Sequence, residues 1–84
     1  MELKEFRLIK TRAGNRTGVD LGSFFGADEN DLSMLKKVRD YIERWLDGYN
    51  NGLPIDEIDE LLEGFNGYFS YDVFSFKLIE HEEL

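Results

Sequence analysis

Apolar residues recur at three- and four-residue steps from Leu32 through Leu35, Val38, Ile42, Trp45 and Leu46 to Tyr49. That period describes a helix with a single apolar face. Such a helix draws most of its stability from packing, so the rest of the chain must supply a second apolar surface to cover it. Charges of opposite sign stand four apart on its outer positions: Lys36 with Asp40, Arg39 with Glu43, Asp40 with Arg44. Each such pair stabilises a helix by about 0.2–0.5 kcal/mol. Asp28 is placed to cap the start, with Glu29 and Asp31 near the positive end of the helix dipole. Gly48 and Asn50-Asn51-Gly52 end the run.

The covering surface comes from strands. Residues 2–11 alternate, with Phe6 and Leu8 on one side and Leu3 and Ile9 on the other. The turn-rich stretch 13–18 can close a hairpin onto a short strand around 17–22, which Gly18 and Gly22 weaken, with Arg12 and Arg16 at its tip. After Pro54, the spacing of Ile55, Ile58, Leu61, Leu62 and Phe65 predicts a second, shorter helix, stopped by Gly64 and Asn66-Gly67. The segment from Tyr68 to His81 is rich in aromatic and β-branched residues and reads as one long strand. It would carry Tyr68, Phe74, Phe76 and Leu78 on one face and Phe69, Tyr71, Val73 and Ile79 on the other. The expected fold is α+β: one domain over 1–84, with a small antiparallel sheet of two to three strands and two helices packed on one face. The order is β-(β)-α-α-β, and the first and last strands lie side by side.

The chemistry the chain lacks narrows its function. With no cysteine it has no disulfide, thiolate metal site or thiol nucleophile. No apolar run approaches 18 residues and the first ten residues show no signal-peptide pattern, so the reading is a cytoplasmic, intracellular protein away from membranes. On that reading the Asn15-Arg16-Thr17 glycosylation pattern is incidental. His81, the single histidine, lies near the chain end, where no oriented carboxylate is expected to hold it for catalysis. Residues 14–18 lack the spacing of a phosphate-cradling loop. Asp28-Glu29-Asn30-Asp31 begins like a calcium loop, but Leu32 and Ser33 stand where a ligand and a glycine are required. The reading is therefore no enzyme, no cofactor and no metal.

Charge then becomes the main functional signal. The formal net charge is -8, and it is unevenly spread, with residues 1–27 near +2 and residues 28–84 near -10. Asp56, Glu57, Asp59, Glu60 and Glu63 follow one another without a base. Asp56, Glu60 and Glu63 would line one helix ridge at steps of about 5–6 Å. A one-signed ridge on a rigid helix can imitate a nucleic-acid backbone and occupy the basic groove of a protein that binds one. The expected contact set is Asp56, Glu57, Glu60 and Glu63, with Asp40, Glu43 and Asp47 adding charge and Tyr49, Tyr68 and Tyr71 as exposed anchors. In size and charge alone, the chain resembles the small acidic inhibitors of phages and mobile elements that act on restriction, repair or CRISPR enzymes. The expected partner is a basic protein, of the kind that handles nucleic acid, and not nucleic acid itself. The alternative is a structural subunit or self-associating domain, such as a homodimer, whose acidity only solubilises it.

Overall fold

The computed structural model describes residues 2–49 and 55–83. Two strands, β1 (Lys4–Arg12) and β2 (Val19–Gly26), precede two helices, α1 (Leu32–Tyr49) and α2 (Ile55–Leu62). Two further strands, β3 (Tyr68–Tyr71) and β4 (Phe74–Glu80), lead into a 3-10 turn at His81–Glu83. All strand pairs are antiparallel and the spatial order is β2-β1-β4-β3. The fold is α+β, with the first and last strands adjacent. Among the described residues it has four strands in the chain order β-β-α-α-β-β, not the two or three expected.

The extra strand arises at Asp72-Val73. The stretch expected as one long strand folds back there, and Tyr71 faces Phe74 across the pair. Asp72 takes a positive φ of 54°, a conformation that Asp adopts more readily than most side chains. The turn also resets the parity of the faces. Phe69 and Tyr71 now share a side with Phe74, Phe76 and Leu78, while Tyr68 faces the other way, opposite Lys77. The two apolar faces expected of a single strand are therefore one apolar face shared by two.

That face meets the helices. Phe6 and Leu8 of β1, Phe69, Phe74 and Phe76 of the second hairpin, Met34, Val38, Ile42 and Leu46 of α1, and Ile58 and Leu62 of α2 form one buried cluster. Trp45 meets Phe74 and Phe76 edge-to-face at centroid distances of 4.9 and 5.5 Å. The two helices thus cover one side of the sheet, as expected. Where β2 runs into α1, the side chains of Asp31 and Met34 crowd the backbone at Gly26. A Cβ on Gly26 would stand 2.8 Å from Met34 Sδ and 3.0 Å from Asp31 Cβ. Among the described residues no helix is long and apolar enough to cross a membrane.

The start of α1 differs from expectation. Asp28 forms a turn of its own, accepting from the Asn30 amide at 2.8 Å through its carboxylate and from the Asp31 amide at 3.2 Å through its carbonyl. The cap is Asp31, whose carboxylate accepts the Met34 amide at 3.1 Å and the Ala27 amide at 2.9 Å. Leu32, expected on the apolar face, is the first helical residue and is 81% exposed, and Met34 is buried instead. The amides of Ala27 and Met34 hold the Asp31 carboxyl below its ordinary range. Because the folded value is the lower one, the cap's contribution is complete above the unfolded carboxylate range and is lost as pH falls through the folded value. Asp31→Ala is expected to lower the melting temperature by a few degrees at neutral pH, and the gap to the parent should close in strong acid. Thermal melts followed by circular dichroism across pH check this; equal melting at neutral pH would deny Asp31 the capping role.

Candidate functional site

Ile58 and Leu62 are fully buried, and their spacing turns one side of α2 into the core. Helical geometry then places Asp56 and Glu60 on the opposite side, with Glu57 beside them. Asp56, Glu57, Glu60 and Glu63 are all exposed. Glu63 lies one residue past α2, in the terminating turn, where its amide donates to the Glu60 carbonyl at 3.2 Å. The regular line of charge therefore holds for Asp56 and Glu60 and bends away at Glu63. Leu61, expected on the apolar face, is exposed as well.

Asp59 behaves differently from these four. It turns toward α1, where the Arg39 guanidinium donates to its carboxylate and, at 3.2 Å, to its backbone oxygen. Arg39 is thereby directed to α2 and not to Glu43, the partner expected within α1. The other two expected pairs are also not formed as ion pairs among the described residues, although Arg44 Nε donates to the Asp40 carbonyl at 3.4 Å. Among the described residues, Asp56, Glu57, Glu60 and Glu63 have no ion-pair partner.

The acids of α1 share one stripe, with Asp40, Glu43 and Asp47 following one another at steps of three and four residues. Glu43 is half-buried, and Asp40 and Asp47 are exposed. Tyr68 and Tyr71 do not gather with the acids. Tyr68 is 58% exposed, but on the sheet side away from the helices. Tyr71 is half-buried against the core, nearly parallel to Phe69 at 6.5 Å. The side chain of Tyr49 lies outside the described residues, as does Pro54.

The sheet face away from the helices is polar at its centre. Arg7 donates to Asp20 at 2.8 Å, to Glu5 at 2.9 Å and to the Ser23 hydroxyl at 2.7 Å, and Ser23 donates to Glu5 at 2.8 Å. The Gly22 amide completes the set by donating to Asp20 at 2.9 Å. Arg7, and after it Ser23, hold the Glu5 carboxyl below its ordinary range, and Arg7 with the Gly22 amide does the same for Asp20. The same bonds raise Arg7.

A second charged feature escaped the residue pattern. Lys10 and Arg12 share the helix-facing side of β1 with Phe6 and Leu8, and stand opposite Phe76 and Phe74. The Lys10 ammonium lies 4.5 Å from the Trp45 ring centroid and 5.4 Å from that of Phe74, and the Arg12 guanidinium carbon lies 5.9 Å from the latter. These residues line a cleft of about 290 Å³ with Asn15, Thr17 and Val19. The available signal was the alternation itself, which carries two bases into positions where the strand's apolar face should continue. The chain matches no protein-family model, no curated protein and no solved structure.

Proposed function

We propose that the protein is a non-enzymatic binding protein whose α2 face engages a basic partner, most naturally one that handles nucleic acid, and thereby inhibits or regulates it. The observation that carries this reading is the division of labour among the α2 acids. Asp59, which turns toward α1, is paired with Arg39, whereas Asp56, Glu57, Glu60 and Glu63 are exposed with no ion-pair partner among the described residues. An unneutralised, one-signed helix face raises the rate of encounter with a basic surface and makes the complex sensitive to salt. Asp40, Glu43 and Asp47 extend the negative field along one stripe of α1.

Self-association through the sheet has less behind it. The sheet's outer face is occupied by the Arg7 network, its edge strand β3 has four residues, and the register of the other edge, β2, is interrupted opposite β1 between Arg7 and Ile9. Short or irregular edges resist strand-to-strand pairing.

Affinity capture from nuclease-treated lysate, washed at low and at raised salt, tests the proposal. The expected result is a basic nucleic-acid-binding protein held at low salt and released as salt rises. Recovery of a salt-resistant partner only, or of the protein's own copies, would move the function away from the acidic helix.

A further inference from the structure

We propose that the cleft between the β1–β2 hairpin and Trp45 binds a small organic phosphate monoester, held by Lys10 and Arg12. The cleft is independent of the acidic α2 face and adds a ligand to a protein otherwise read as a protein binder.

The position of the two bases is the first argument. A strand that covers a helix layer continues its apolar face to its end, yet β1 changes from Phe6 and Leu8 to Lys10 and Arg12 on that same side. The core does not need them there, because Trp45, Phe74 and Phe76 already pack edge-to-face beneath.

The second argument is charge. In a chain of net charge -8, the residues lining this cleft include two bases and no carboxylate. Both cations lie within 6 Å of the Phe74 centroid, so the two positive charges flank one ring at the cleft. Among the described residues neither forms an ion pair. Contact with a ring face attracts a cation but supplies no acceptor for its N–H groups. The missing complement is an anion.

The donor set selects its class. An ammonium, a guanidinium, an amide from Asn15 and a hydroxyl from Thr17 offer more donors than the two oxygens of a carboxylate can use, and they suit the three terminal oxygens of a phosphoryl group. A cleft of about 290 Å³ is larger than inorganic phosphate requires, and Val19 and Trp45 give it an apolar wall. The ligand is therefore a phosphate on a small organic body. The hairpin wall is also held close to β1, since a Cβ on Gly18, between Thr17 and Val19, would overlap Ile9 Cγ2.

Trp45 is the chain's single tryptophan, so intrinsic fluorescence reports on the cleft directly. The protein is titrated at constant ionic strength with phenyl phosphate, adenosine monophosphate, inorganic phosphate and, as the uncharged control, adenosine. The expected result is saturable quenching by both monoesters with Kd of about 1 mM or tighter, weaker binding of inorganic phosphate and none of adenosine. Lys10→Gln and Arg12→Gln should each weaken the monoesters at least about ten-fold while circular dichroism stays unchanged. Amide chemical shifts of Asn15, Thr17 and Val19 give a second readout, needed if either variant folds poorly. Absence of saturable change with either monoester by both readouts, or undiminished binding in well-folded Lys10→Gln and Arg12→Gln, would overturn the assignment.

Discussion

Replacing Phe76 by alanine is expected to remove about 3–5 kcal/mol, a large share of the stability of a chain this small. Phe76 is fully buried on β4, one of the two central strands. It meets Trp45 of α1 at 5.5 Å and Phe69 of β3 at 6.4 Å, so one ring joins both layers of the fold. Truncating a buried phenylalanine costs about 3–5 kcal/mol through lost transfer energy and the cavity left behind. A chain of 84 residues has a total stability of only about 4–13 kcal/mol at ordinary values per residue. No disulfide limits the unfolded state, because the chain has no cysteine. Phe25→Ala is the matched control, since Phe25 lies on the sheet's other face and is 55% exposed. Its loss should stay within about 0.5 kcal/mol. Urea denaturation of the two variants measures both values, and a similar small loss in each would place the core elsewhere.

The sequence made the long-range frame of this core legible and hid its local geometry. The period from Leu35 to Leu46 specified most of the eighteen-residue α1 because one signal repeats over several turns, and it required the apolar sheet that the structure supplies. The hairpin at Asp72-Val73 was not visible because the usual turn glycine is absent. Asp72 carries the positive φ between residues that each favour a strand. Missing that turn assigned Phe69 and Tyr71 to the wrong face, since every side chain beyond a turn changes parity with it. The cap was misplaced by three residues for a related reason. Asp28 and Asp31 are equally good capping residues, and only the preceding turn, closed by Asp28 itself, decides between them.

For the candidate site, the exposure of Asp56, Glu57, Glu60 and Glu63 followed directly from the apolar spacing of α2. Which acid would be neutralised did not. That choice belongs to the packing of α2 on α1, which brings Arg39 to Asp59 across 20 residues of sequence. The uneven charge of the chain also acquires a spatial form. The first hairpin contributes Lys10 and Arg12 to one end of the sheet, whereas the helices present the acids. Net charge alone conceals this, because the two regions offset each other.

Reversing the α2 face provides the decisive functional comparison. The variant Asp56→Lys, Glu60→Lys, Glu63→Lys moves the formal net charge from -8 to about -2. Binding to the captured partner is expected to fall at least about 100-fold, with most of the salt dependence lost, because attraction becomes repulsion at three neighbouring positions. The fold should survive, since all three side chains are exposed. The variant's stability should change little, because lysine at position 56 opposes the helix dipole while lysines at positions 60 and 63, at its C-terminal end, complement it. Overall charge alone would also weaken binding to a basic partner, so the control must match it. Glu2→Lys, Glu29→Lys, Glu82→Lys changes the net charge equally at exposed positions off α2. If the ridge is the contact, this control retains affinity within about ten-fold and loses mainly association rate. Equal loss in both variants, measured by surface-immobilised kinetics at several salt concentrations, would reduce the acidity to a general field and remove α2 as the docking element.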